Sequence, residues 1–315
     1  MKSHSLLKVK VKESEMPASD VRELSLVSPD GAKLPEFTPG AHVLVHHPNG
    51  LQRQYSLIGP PSDRSRYRIA IRRLQDGRGG SRAFHDELEV GDELLISEPV
   101  NGMTIDTTAE HHVFIAGGIG VTPVLGLLHA LPDGADAEVH YCFRSLETAP
   151  YLDTLKSLGA RVVTYDESAG ELLNVDALLS AVPQSSTIYH CGPAGLMAAV
   201  EAAASDRRPD KVRSESFGGQ VAPEGTELGE PFEVELDYSG KKVVQVGRYE
   251  TMLRALLREN ITVDYSCEVG ECGTCILEYT SGHVEHHDTV LENDERGEMM
   301  TPCVSRARGR IVVDL

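Results

Sequence analysis

Short runs in which apolar and polar residues alternate fill the first third of the chain. Lys8-Val9-Lys10-Val11-Lys12, Ala41-His42-Val43-Leu44-Val45, Tyr67-Arg68-Ile69-Ala70-Ile71 and Glu93-Leu94-Leu95-Ile96 are punctuated by Gly, Pro and Asn. A period of two puts one strand face on a core and the other in water, so residues 1–105 are predicted to form a small antiparallel β-barrel. The pattern then changes. Between residues 106 and 218, apolar runs at His112-Val113-Phe114-Ile115-Ala116, Glu138 to Phe143, Arg161 to Tyr165 and Thr187 to Cys191 alternate with helical periods at Thr122 to Leu131 and Pro193 to about Ala204. Continuous apolar strands between helices predict a parallel α/β sheet, and Pro123 suits a first helical turn. The stretch from Gly218 to Thr226, rich in Gly and Pro, follows neither period, and 219–230 reads as a linker. Strands at Phe232 to Asp237, Lys242 to Val246 and Arg310 to Val313, with a helix at about Thr251 to Glu259, predict a third, mixed domain over 231–315.

Length and charge narrow this picture. With 315 residues the chain can build two or three cores. A formal net charge of −18 disfavours nucleic acid and anionic membranes; it suits docking on a basic redox partner and equally suits plain solubility. No apolar run reaches membrane length, and the charged N-terminus lacks the apolar core of a signal peptide, so a cytoplasmic protein is expected.

Four of the six cysteines carry the strongest chemical signal. Cys267, Cys272 and Cys275 form C-x4-C-x2-C, and Cys303 follows much later, the plant-type ferredoxin spacing for a [2Fe-2S] cluster. Gly270 and Gly273 allow the chain to wrap four thiolates around two irons. A four-thiolate zinc site is the competing reading, but such sites usually present two close pairs. Cys142 and Cys191 lie in apolar runs and read as packing residues.

Two further constellations suit phosphate-bearing cofactors. In Arg53-Gln54-Tyr55-Ser56, Arg53 and Tyr55 share one strand face and Ser56 takes the other. Arg78, Gly79, Gly80 and Ser81 precede a short helix at Arg82 to Leu88, where free N–H groups and a guanidinium could cradle a phosphate. The strand ending at Ala116 runs into Gly117-Gly118-Ile119-Gly120-Val121-Thr122-Pro123, a turn that lets backbone approach a pyrophosphate. A second turn holds Cys191, Gly192 and Pro193. Asp166, at the end of its strand, would accept ribose hydroxyls and repel a 2′-phosphate, favouring NADH, whereas Arg144 could pair a phosphate.

Together these motifs resemble the ferredoxin-NADP reductase superfamily. Their order, with a C-terminal plant-type ferredoxin, resembles the phthalate dioxygenase reductase and vanillate demethylase reductase family over essentially the whole chain. That resemblance implies an FMN-binding barrel, an NAD-binding α/β domain and a β-grasp ferredoxin domain. It implies that Tyr55 packs on the flavin, Ser56 approaches its N5 side, and Arg53 with Gly79, Gly80 and Ser81 holds its phosphate. It puts Thr122 and Cys191 beside the nicotinamide and Phe217 close to the flavin, where a plain core role is equally open. The implied path runs from NADH through FMN and [2Fe-2S] to a Rieske-type terminal oxygenase of an aromatic demethylase or ring hydroxylase. A reductase for a cytochrome P450 or a diiron monooxygenase is the nearest alternative, and a zinc-stabilised binding module the non-enzymatic one.

Overall fold

The computed structural model describes residues 6–49, 51–74, 80–132, 134–216, 226–238, 240, 242–265, 268, 270, 273–288 and 290–315. Two compact units divide the chain, Met1–Phe217 and Gly218–Leu315.

The first unit opens with strands β1 (Leu7–Ala18), β2 (Val21–Val27), β3 (Ala41–His46), β4 (Gln52–Ser56) and β5 (Tyr67–Arg72). Helix α1 (Gly80–Asp86) and strands β6 (Glu93–Ile96) and β7 (Val100–Asn101) follow. They form one antiparallel sheet in the order β4-β3-β6-β1-β2-β5, with β7 on β3. Alternation on β1 buries Val9 and Val11 and leaves the neighbouring lysines in water. These valines join Leu24, Leu26, Val43, Val45, Ile69 and Phe84 in a single core.

The rest of the unit is α/β: β8 (His111–Gly117), α2 (Val121–Leu128), β9 (Asp136–Phe143), α3 (Leu152–Ser157), β10 (Arg161–Asp166), α4 (Val175–Ala181), β11 (Thr187–Cys191), α5 (Ala194–Ala203) and β12 (Val212–Ser214). All five strands are parallel in the order β10-β9-β8-β11-β12. The order therefore reverses between β8 and β11, the switch point at which ligands bind beyond the carboxyl ends of such sheets. Helix α2 stops at Leu128 instead of running to Leu131: Ala130 N and Leu131 N bond the carbonyls three residues back, Leu127 and Leu128, and Pro132 has no N–H to continue the ladder. Every residue of α2 is buried, since the antiparallel half covers its outer side. That contact is tight: a Cβ on Gly126 would lie 2.9 Å from the Leu57 carbonyl oxygen.

The C-terminal unit holds β13 (Phe232–Leu236), β14 (Val243–Val246), α6 (Met252–Arg258), β15 (Leu277–Glu285), β16 (Met299–Met300) and β17 (Arg306–Val313), in the sheet order β14-β13-β17-β15-β16. Strands β13 and β17 run parallel at its centre and the other pairs are antiparallel, a β-grasp arrangement with α6 packed on the sheet. The Thr251 hydroxyl caps α6 by accepting from Arg254 N at 3.2 Å. Arg306 is 3% exposed; its guanidinium donates to the carbonyls of Glu250, Glu230 and Gly247 at 3.0, 2.8 and 3.1 Å and lies over the Phe232 ring. The segment just before β13 is thereby anchored to this unit, where Glu227 and Glu230 also pair with Arg248. Among the described residues no helix is long and apolar enough to cross a membrane.

Candidate functional site

The carboxyl edge of the parallel sheet gathers the predicted nucleotide residues. Gly117 stands opposite Cys142 on β9, and Ala116 opposite Cys191 on β11. Two of the three glycines in the first turn are demanded by the second turn. A Cβ on Gly117 would come within 2.5 Å of the Pro193 ring, and one on Gly120 within 2.2 Å of the Cys191 carbonyl oxygen. Gly118 adopts φ +54. The two turns thus pack closely against each other, and the glycine turn at the carboxyl edge of the sheet, without side chains, suits close approach of a dinucleotide pyrophosphate. Thr122 is buried and its hydroxyl donates to the Ile119 carbonyl at 2.9 Å, closing the turn locally. Cys191 is fully buried, as expected, but Cys142 is only partly so, and burial pushes its thiol up to about 11. His190, preceding Cys191, is buried, which lowers its imidazole to about 4 and keeps it neutral at pH 7.

Arg144 is exposed just past β9, the strand next to the glycine turn. Asp166 ends β10 at the outer edge, opposite Phe143, and its Oδ1 accepts from both the backbone N and the hydroxyl of Ser168. Arg144 is therefore nearer the cradle than Asp166 in strand order.

On the antiparallel half, Tyr55 meets Phe84 edge-on at 5.6 Å, and burial drives its phenol pKa up despite the nearby Arg53. Arg53 donates to the Gln52 carbonyl at 2.6 Å. Ser81 lies in α1 and its hydroxyl accepts from Leu74 N at 3.2 Å; Gly80 is the first residue of α1. Arg78, Gly79 and Phe217 lie outside the described residues. On the face of β4 shared with Ser56, opposite Arg53 and Tyr55, the buried Gln52 and Gln54 Oε1 atoms have no hydrogen-bond partner among the described residues, which leaves acceptors free at the Ser56 side of a flavin site. Such acceptors suit the N–H groups of an isoalloxazine edge.

A residue that sequence reasoning passed over joins the two halves. Glu215, directly after β12, is 3% exposed and accepts from the Ser56 hydroxyl at 3.2 Å and from Gln54 Nε2 at 3.5 Å. His42 Nδ1 on β3 approaches its Oε1 to 3.2 Å. A Cβ on Gly102 would lie 2.9 Å from both Glu215 Oε1 and His42 Nδ1, so a side chain there would push this pair aside. The only sequence signal was position, since Glu215 stands two residues before Phe217.

In the C-terminal unit Cys275 and Cys303 are both buried, while Cys267 and Cys272 lie outside the described residues. Gly270, between them in sequence, has φ +76, and a Cβ there would strike Val304, the neighbour of Cys303, at 2.6 Å. Gly270 thus lies against the neighbour of Cys303, a closeness that suits the plant-type spacing of a [2Fe-2S] cluster. Glu268 in the same loop has φ +60, is buried, and its Oε2 accepts from Arg254 of α6 at 2.5 Å. An ion pair thus pins a backbone geometry that a non-glycine residue rarely adopts.

Residues 236–308 match the family model of a 2Fe-2S iron-sulfur cluster binding domain, and residues 94–211 that of the N-terminal domain of a dimethylamine monooxygenase subunit. The heme-dependent oxidative N-demethylase beta subunit of Ectopseudomonas mendocina is 38% identical over 90% of this chain and 90% of that protein. The vanillate O-demethylase oxidoreductase of Pseudomonas sp. is 36% identical over 98% of this chain and 100% of its own length. The chain spans half the length of another relative, an oxidoreductase of Pseudomonas putida that is 36% identical over 92% of this chain. A solved phthalate dioxygenase reductase, described as modular for electron transfer from pyridine nucleotides to [2Fe-2S], superposes with a TM-score of 0.73 at 33% identity, covering 99% of this chain and 98% of that one. An antiparallel half, a parallel nucleotide half and a four-cysteine β-grasp unit are the parts of such a reductase, and the chain belongs to the phthalate dioxygenase reductase and vanillate O-demethylase oxidoreductase family of flavin and iron-sulfur oxidoreductases.

Proposed function

We infer that this chain is the reductase component of an oxygenase system, taking electrons from NADH through FMN and a [2Fe-2S] cluster to a Rieske-type terminal oxygenase acting on an aromatic substrate in the cytoplasm. The observation that supports it is the close approach of Gly270, inside the plant-type cysteine spacing, to Val304, the neighbour of Cys303. When bound, a flavin accepts a hydride and releases electrons singly, and a [2Fe-2S] cluster takes them one at a time.

The chain's own groups position and insulate. Gly117, Gly118 and Gly120 admit the pyrophosphate to the backbone. Thr122 and Cys191 present a dry wall to the nicotinamide ring, with no nucleophilic role. Tyr55, braced by Phe84, gives the flavin ring an aromatic face, and Arg53 with the Arg78-Gly79-Gly80-Ser81 stretch is assigned to its phosphate. Ser56 holds its proton toward Glu215, so a hydroxyl backed by a buried carboxylate lies at the junction of the two halves. Cys267, Cys272, Cys275 and Cys303 are assigned to the irons.

Anaerobic titration with NADH tests the reading. Bleaching of a flavin band and a separate [2Fe-2S] band is expected, with phosphate-linked FMN released on extraction. Reduction of a purified Rieske oxygenase by the reduced protein supports the partner. A colourless protein holding only zinc refutes the redox reading. A second partner reading has its own support, since one relative is named a subunit of a heme-dependent demethylase; reduction of a heme oxygenase in preference to a Rieske protein selects it.

A further inference from the structure

Tyr151 opens α3 in a left-handed conformation, φ 63, which bulky side chains avoid. Strain of this kind persists only where surrounding contacts enforce it. Here the ring is buried among the residues packed between the two halves of the unit, and its hydroxyl donates to Glu23 Oε2 on β2 at 2.8 Å. Glu23, itself 5% exposed, is gripped at both oxygens by Arg68 of β5, at 2.6 and 3.0 Å. Burial and the adjacent carboxylate drive the phenol pKa up, so the hydroxyl remains a donor at any working pH. Nearby, Ser19 N donates to the Glu147 carbonyl at 3.0 Å.

The Tyr151 and Ser19 bonds join the antiparallel half to one segment, residues 144–151, which leaves the carboxyl end of β9. At its far end Arg144 and Ser145 follow the strand that flanks the glycine turn. Between the ends the span is stiffened by Ser145 and Thr148, which cap each other. One rigid segment therefore has the approach to the nucleotide cradle at one end and a strained, buried anchor on the flavin half at the other.

We propose that Tyr151 is a positioning residue for the dinucleotide: its bond to Glu23 fixes the 144–150 segment, and with it the grip on the adenosine end, at a set distance from the flavin half. This rests on reading residues 106–218 as the nucleotide half. With the bond removed, the backbone at 151 relaxes toward ordinary φ and the segment shifts, while the glycine turns at the nicotinamide end keep their geometry.

The test uses the full-length holoprotein and Tyr151→Phe, with NAD+ and ADP-ribose binding by calorimetry and stopped-flow flavin reduction by NADH and by reduced nicotinamide mononucleotide, which lacks the adenosine end. The expected result is about a tenfold weaker Kd for NAD+ and ADP-ribose, the equivalent of about 1.4 kcal/mol. The limiting rate at saturating NADH and the kinetics with the mononucleotide stay at wild-type values. Glu23→Leu, which removes the acceptor instead of the donor, is expected to reproduce the loss if Tyr151→Phe does not fold, and Glu23→Gln, which keeps an acceptor oxygen, to recover most of the affinity. A Tyr151→Phe protein with a lowered Tm but unchanged Kd values, or one weakened equally toward the mononucleotide, overturns the proposal. Wild-type protein that bound neither NADH nor NADPH would remove the nucleotide reading itself, a distinguishable failure.

Discussion

Asp106, just before β8, offers a perturbation whose size can be worked out from its surroundings. Its carboxylate is 7% exposed and faces donors only: Oδ1 accepts from Thr108 N at 2.9 Å and Thr108 Oγ1 at 2.6 Å, and Oδ2 from Thr187 Oγ1 and Lys211 Nζ, both at 2.8 Å. In Asp106→Asn one oxygen becomes an NH2 group, which must confront either the Thr108 donors or the Lys211 cation. Removing one partner of a buried pair costs about 3–5 kcal/mol, but Lys211 is 14% exposed and can swing toward water, so about 2–4 kcal/mol is expected. For a unit of this size that is a fall in Tm of roughly 4 to 16 °C. The hydrogen bonds, led by that from Lys211, hold the Asp106 carboxyl well below the usual carboxylate range. A depressed folded pKa contributes stability above the unfolded pKa, about 4, that is lost as pH falls toward the folded value. The gap between wild type and variant should accordingly be constant from pH 8 to about pH 5 and shrink below about pH 4. Scanning calorimetry across that range measures it in the transition of the first unit. Equal Tm values at pH 7, or a gap as wide at pH 3 as at pH 7, would refute the account.

Three other substitutions probe separate parts of the molecule. Arg207→Met strips the carbonyls of Leu179, Val182 and Pro183, at the end of α4, of a guanidinium 2.8–2.9 Å away, and about 2–4 kcal/mol of stability should be lost in urea unfolding. Cys275→Ser should eliminate acid-labile sulfide and electron delivery to cytochrome c while leaving flavin reduction by NADH intact; loss of flavin reduction in folded protein would break the serial path. Glu215→Gln keeps the shape but removes the charge behind Ser56, and should slow flavin reduction about tenfold or more with flavin content unchanged; an unchanged limiting rate would leave Glu215 a packing residue.

How much of this was legible in the chain depends on where the determining contacts lie. Strands β8 and β11 announced themselves because both faces are buried and the apolar run is continuous. Strand β1 was visible only through Lys12, yet it continues to Ala18, because the second half bends at register shifts where alternation fails. Strand β15 was missed: most of its residues face solvent, so its composition carries no core signal and only its pairing to β17 defines it. The cysteine loop could be read from spacing, which is a local property. Glu215, Glu23 and Arg306 could not, since a charged residue in a sequence ordinarily marks a wet surface, and only tertiary partners reveal that these three are buried.

The coenzyme preference shows how topology reweights a charge argument. Asp166 favours NADH on sequence grounds, but β10 is two strands from β8, roughly 10 Å at the usual spacing between strands, and its Oδ1 is already committed to Ser168. Two unit charges 10 Å apart in water interact by only about 0.4 kcal/mol before screening, and that separation is itself about one Debye length at physiological salt. For a 2′-phosphate bound at β8, carrying close to two charges, Asp166 would therefore supply a factor of about four before screening and about two or less after it. Arg144 follows the intervening strand and is exposed, so its guanidinium is the charge better placed to reach that phosphate. Asp166→Asn should change the NADH to NADPH ratio of kcat/KM by less than about threefold, while Arg144→Ala should raise it further by depressing use of NADPH. A tenfold swing toward NADPH in Asp166→Asn would mean instead that the carboxylate touches the ribose directly.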